Sequence, residues 1–160
     1  MQNVVNSVNR GLALFTISLS CFLVGCVIWQ VISRYILNSP STVTDELARY
    51  LFMWVAMIGA AYTTGQKRHL AIDIITMRLD GLRKTIAEFI IQVAVAAFSA
   101  IVLVYGGLTL VFNTLESGQI TPALDIQMGY VYLCLPISGL LMIFYSLYFM
   151  ATLIKQSQAQ

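Results

Sequence analysis

The chain of 160 residues is 59% hydrophobic and only 10% charged, with a mean hydropathy of +0.82. Soluble globular domains carry about 25% charged residues, so the composition excludes a soluble fold and indicates an integral membrane protein. A formal net charge of +2 spread over nine Lys and Arg offers no basic stripe for nucleic acid.

The charges mark out the helices. No charged residue lies between Arg10 and Arg34, Arg49 and Lys67, Glu88 and Glu116, or Asp125 and Lys155. Each gap meets or approaches the roughly 20 apolar residues of a spanning helix. The expected fold is all-α: one membrane domain over residues 1–160, with four transmembrane helices at about 11–33, 45–66, 88–115 and 126–154. The first run, Gly11 to Ser33, exceeds the 7–15 residues of a signal h-region and reads as a retained anchor.

The second span opens at Pro40, Ser41, Thr42 and Thr44, where Thr42 and Asp45 form a loose capping box. Asp45 and Glu46 lie four and three residues before Arg49, so both acids reach it on one helix face. Arg34 ends the preceding span and is expected to join this network, with Trp29, Tyr35, Tyr50 and Trp54 as interfacial aromatics. Part of the cluster is a self-neutralised cap suited to the helix dipole; the rest is a candidate surface for a partner subunit. Ala56 with Ala60, and Ala96 with Ala100, are spaced for close helix approach.

Lys67, Arg68 and His69 close the second span. Beyond them Ile72, Ile75, Leu79, Leu82 and Ile86 recur at spacings of three and four, opposite Asp73, Asp80 and Lys84. That pattern predicts a short amphipathic helix in the membrane interface over about 72–86. Arg10, Lys67, Arg68, Arg78, Arg83, Lys84 and Lys155 fall on one side, against Arg34 and Arg49 on the other, which places both termini in the cytoplasm. The loop between Glu116 and Asp125 then faces outward without a positive charge.

The spans carry little chemistry. None has an ionisable residue near its middle, where relays and charged-substrate sites place them. Cys21, Cys26 and Cys134 sit inside spans without a CxxC pair or a His partner and read as packing residues. His69 alone cannot supply a bis-histidine haem, and no metal cluster, P-loop or Ser/His/Asp grouping is present. Gln30, Thr63, Thr64, Gln92, Ser99 and Asn113 are uncharged and read mainly as interhelical hydrogen-bonding groups. No catalytic residue, cofactor or metal is expected.

The stretches "WQVISRYIL" (Trp29 to Leu37), "TDELARYLFMWVAMIGAA" (Thr44 to Ala61), "KRHLAIDII" (Lys67 to Ile75) and "YVYLCLPISG" (Tyr130 to Gly139) resemble the small transmembrane subunit of tripartite ATP-independent periplasmic (TRAP) transporters, the DctQ-like family. Two departures stand out: Asp45-Glu46 replaces the usual Glu-Glu, and Gln127 replaces a frequent proline, which predicts a smoother start to the fourth span. The resemblance implies a bacterial inner-membrane accessory subunit in sodium-coupled uptake of an organic acid, sialic acid or a C4-dicarboxylate. Its partners would be a large membrane subunit, a periplasmic substrate-binding protein and the bilayer. By position, Arg34, Asp45, Glu46, Arg49 and Trp54 would serve the outer end and the subunit seam; Lys67, Arg68, His69 and Asp73 would fix the inner end; Glu116 and Asp125 are candidates for facing the binding protein. The competing readings are an autonomous four-helix channel or exporter and a membrane anchor for an enzyme complex.

Overall fold

The computed structural model describes residues 2–66 and 82–158. Its helices are α1 (Gln2–Tyr35), α2 (Thr42–Gly65), α3 (Leu82–Phe98), a π-helical segment (Ser99–Gly106), α4 (Gly107–Glu116), α5 (Met128–Tyr132) and α6 (Cys134–Gln158). Among the described residues the only β pairing is a single bridge between Ile120 and Gln127.

Three stretches are long and apolar enough to cross a membrane: Val5–Tyr35, Arg83–Glu116 and Met128–Ile154. α2 has 24 residues, about 36 Å at 1.5 Å per residue, but polar first turns lower its hydropathy. Leu82 to Ile86, expected at the end of the interfacial helix, belong to α3. The rest of that helix, with Lys67, Arg68, His69 and Asp73, lies outside the described residues.

The long helices form a row. α1 packs on α2, α2 on α6, and α6 on α3 and the π segment. Only 6% of the most apolar stretch of α1 is buried, against 39% for the stretch containing α6, which puts α6 inside the row and α1 at its edge. Ala61, Leu103 and Met142 form the central core, flanked by Met57, Val95, Leu135 and Leu141. Cys26, Ala48 and Leu51 join α1 to α2, so Cys26 is the packing residue its sequence context suggests.

Close approach depends on residues other than the expected alanine pairs. Ala56, Ala60 and Ala100 are exposed, whereas Ala61 is fully buried. Towards the termini, Gly65 sits where α2 meets both neighbours: a Cβ there would fall 2.6 Å from Asn9 Oδ1 and 2.6 Å from Tyr145 Cζ. Buried Tyr145 donates its hydroxyl to Asn9 Oδ1 at 2.6 Å, tying α6 to α1 across the glycine. Gly139 admits the π segment, since a Cβ there would lie 2.7 Å from Leu103 Cβ. The wider i→i+5 winding keeps Ser99, Leu103 and Gly107, four residues apart, on one buried face, which continues into α4 at Val111. In a regular α-helix that spacing drifts around the axis.

The fourth span does not start smoothly. Gln127 is extended, α5 ends after Tyr132, and a turn at Leu133 precedes α6. The bridge to Ile120 holds Gln127 in that extended form. Without a proline to begin the helix, a loop hydrogen bond sets the boundary instead: the Met128 N–H donates to the Gln119 carbonyl at 3.0 Å.

Gly65→Val should therefore destabilise the chain by about 1–3 kcal/mol through overpacking. Tyr145→Phe should cost less, about 0.6 kcal/mol, the average for an interhelical hydrogen bond in a membrane. Reversible unfolding by SDS in mixed micelles gives both values; a Gly65→Val chain as stable as wild type would show that the three helices do not meet there.

Candidate functional site

The end of the row holding residues 36–41 and 117–127 carries the polar chemistry. α1 ends in a left-handed turn at Asn38 (φ 50°), with the Ser39 N–H returning to the Ser33 carbonyl at 3.0 Å. Asn tolerates this conformation better than other side chains. Ser41, rather than Thr42, caps α2, its side chain accepting from the Thr44 N–H at 3.5 Å. With Ser41 as the cap, Thr42 is already helical and the expected Thr42–Asp45 box is not formed; the Asp45 carboxylate pairs with Arg49 at 2.6 Å. Gln30 of α1 donates to the Thr44 carbonyl at 2.7 Å, closing the seam between α1 and α2.

Glu46 is the centre of the site. It is 5% exposed and does not share Arg49 with Asp45. One oxygen accepts the Tyr50 hydroxyl at 2.8 Å. The other accepts the N–H groups of Ala123 at 2.7 Å and Leu124 at 2.9 Å, 77 and 78 residues along the chain. A buried carboxylate is tolerated when it is supplied with donors in this way.

The loop sequence explains why those donors are free. The Asp125 N–H returns to the Thr121 carbonyl at 3.1 Å, forming one helix-like turn over "TPALD". Pro122 has no N–H, and the amides of Ala123 and Leu124 lack a carbonyl within the turn, as at any helix start. Thr121, 1% exposed, ties the base: its N–H donates to the Ile126 carbonyl at 2.9 Å and its Oγ1 accepts from the Ile126 N–H at 3.0 Å. Gly118 (φ 64°) and Asp125 (φ 56°) supply the left-handed positions that fold the loop back.

Gln30, Arg34, Pro40, Ser41, Thr42, Asp45, Glu46, Arg49, Pro122 and Ala123 line a cleft of about 400 Å³ between α1, α2 and this loop. Arg34, Asp45, Glu46 and Arg49 all line this cleft, but not as the shared network expected from sequence: Glu46 is bonded to Tyr50 and the loop instead of Arg49. Among the described residues Arg34 forms no ion pair, and Arg49 pairs with Asp45 alone. Trp54, two turns deeper on α2, is half-buried outside the cleft lining, and Glu116 and Asp125 are exposed on the loop side. Thr121, Ala123 and Leu124 were not evident from sequence; Thr-Pro followed by an acid three residues on is the signal that marks their turn. Among the described residues no group of three His, Cys, Asp or Glu is placed to hold a metal ion.

The cleft thus joins two helices to the loop before the last helices, and comparison with known proteins gives the family. The family model for the DctQ component of tripartite ATP-independent periplasmic transporters matches residues 23–156. The chain belongs to this family. It is 26% identical over 144 residues to the sialic acid TRAP transporter small permease protein SiaQ of Vibrio cholerae, covering 90% of this chain and 80% of that one. It is 32% identical over 100 residues to the C4-dicarboxylate TRAP transporter small permease protein DctQ of Rhodobacter capsulatus, covering 62% of this chain and 44% of that one. A third relative, the sialic acid TRAP transporter permease protein SiaT of Haemophilus influenzae, is 28% identical over 120 residues, which are 75% of this chain but only 19% of that much longer permease. This TRAP small permease chain is accordingly a multi-pass protein of the inner membrane. Its relatives are transporter subunits, which points away from an enzyme. The SiaT match, within a longer permease, supports a large permease subunit as its partner.

The two acids should separate in a stability measurement. Asp45→Asn is expected to stay within about 1 kcal/mol of wild type, because its ion pair is exposed and screened by solvent. Glu46→Ala should be clearly less stable, since it removes both acceptor oxygens and leaves the Ala123 and Leu124 N–H groups and the Tyr50 hydroxyl without their partner. Thermal unfolding in detergent ranks them, and equal losses would show that Glu46 is not the anchor.

Proposed function

We propose that this chain is the small accessory subunit of a TRAP transporter that imports an organic acid with sodium, bracing the large transport subunit and helping to dock the periplasmic binding protein. The observation that carries this reading is Glu46, which locks the loop before the last span to α2 and so presents one rigid face at that end of the row. In this reading α2 is a fourth span, both termini are cytoplasmic and the locked loop is periplasmic. Glu116 and Asp125 then offer carboxylates to the binding protein. Lys67, Arg68, His69 and Asp73 hold the cytoplasmic end, followed by an interfacial helix.

The row of helices supports the bracing role. Large apolar residues such as Phe22, Phe52, Ile101, Tyr105 and Phe112 are exposed, a surface suited to lipid and a second membrane subunit together. The relatives named for sialic acid and for C4-dicarboxylate support an organic acid and make those two candidate substrate classes. With no Asp, Glu, His, Lys or Arg in the middle of a span, the solute path in this reading belongs to the larger subunit.

A pull-down of the tagged chain from native membranes should recover a large permease. Glu46→Lys should reduce its recovery by roughly tenfold or more, because like-charge or unpaired groups at a seam are costly, while membrane insertion persists. Recovery of a redox enzyme, or solute uptake by the purified chain alone in liposomes, would contradict the proposal.

A further inference from the structure

The loop-end cleft is lined by two arginines and two acids, and among the described residues one of the arginines, Arg34, is left out of its pairing. Three donors satisfy Glu46, and Asp45 is occupied by Arg49 at 2.6 Å. Arg34 is exposed on the cleft wall and, among the described residues, has no acidic partner. Its guanidinium is a planar fork of donors suited to a phosphate or carboxylate. The Arg49 side chain, 73% exposed, lies on the same wall with its remaining donors available. Ser41 and Thr42, at the start of α2, add hydroxyl groups and the positive end of the helix dipole.

The surroundings of Arg34 indicate where the anion comes from. Trp29, Val31, Tyr35, Ile36 and Leu37 are 49–76% exposed and flank the arginine along and just past the end of α1. Such side chains belong at the level where acyl chains meet headgroups, with Trp and Tyr at that boundary. A ligand reaching Arg34 from this direction has a polar anionic head and an apolar tail. The cleft volume, about 400 Å³, is within the range of small-molecule sites.

We propose that this cleft is a phospholipid site. The phosphodiester of a glycerophospholipid sits between Arg34 and Arg49, and its acyl chains run down the exposed side of α1 past Val31, Ile28 and Val27. The bound lipid would fill the space between α1, α2 and the locked loop. The inference concerns the isolated chain, so it can fail while the accessory-subunit reading stands.

The experiment is native mass spectrometry of the full-length chain, extracted in mild detergent from liposomes of phosphatidylglycerol and phosphatidylcholine in equal parts. Wild type should retain one phospholipid mass per chain. Arg34→Gln should lower occupancy by roughly tenfold or more, the scale of one charge-assisted bidentate contact, and Arg34→Lys should fall between them. Arg83→Gln, on a helix far from the cleft, is the control and should retain the lipid. A parallel sample with inorganic phosphate in place of lipid should show no stoichiometric adduct. Equal lipid retention by Arg34→Gln, no retained lipid in wild type, or a phosphate adduct alone would overturn the proposal. So would protection of Arg34 from phenylglyoxal only when a large permease subunit is added, because a protein partner would then be the occupant.

Discussion

A carboxylate taken out of water must have its oxygens supplied with donors, and Glu46 satisfies that demand across the fold. Its donors come from one turn along its own helix and from a loop on the far side of the third long helix. The loop needs the carboxylate as much as the carboxylate needs the loop, because the turn over Thr121 to Asp125 leaves two amides without acceptors. This reciprocal pairing holds the loop against α2 and hence shapes the cleft. Asp45, the adjacent acid, contributes little by comparison, since its partner Arg49 is largely in solvent.

The sequence made some of this legible and concealed the rest, for physical reasons. Gaps between charges pointed to the long apolar helices, because burying a charge in hydrocarbon is costly whatever the tertiary fold. They did not give the helix ends: α1 continues through Arg10 and α3 begins before Glu88, since long charged side chains are good helix formers in the headgroup layer. The clustering of Arg34, Asp45, Glu46 and Arg49 could be read from helical spacing and span ends. Which acid takes which partner could not. Asp45 and Glu46 are equivalent by spacing, and only the turn packed against α2 distinguishes them. Spacing rules for small residues likewise favoured Ala56 with Ala60, while the close crossings fall at Gly65 and Gly139, selected by large partners, Tyr145 and Leu103, far away in sequence. The π segment was hidden too, although a buried residue at every fourth position from Ser99 to Val111 is its trace.

The row of helices and the locked end suit a part built to be held by something larger. α6 supplies the internal framework, with Tyr145 fastened to Asn9 on α1 at one end and the Glu46 loop leading into α5 at the other. Between these fastenings, the exposed apolar faces are free to meet lipid and a permease subunit. The TRAP small permease family is defined over nearly the whole of this framework, residues 23–156. The loop anchored by Glu46 and the charge-free apolar runs are the two features on which the proposed accessory role rests.

The central claim is that the Glu46 carboxylate holds the loop through the Ala123 and Leu124 amides, and amide hydrogen exchange of the full-length chain in lipid nanodiscs tests it directly. Both amides should exchange slowly in wild type and roughly tenfold or more faster in Glu46→Ala, which removes the acceptor, as expected when a local hydrogen-bonded unit is released. Fast exchange of both amides in wild type, or identical rates in the two proteins, would contradict it.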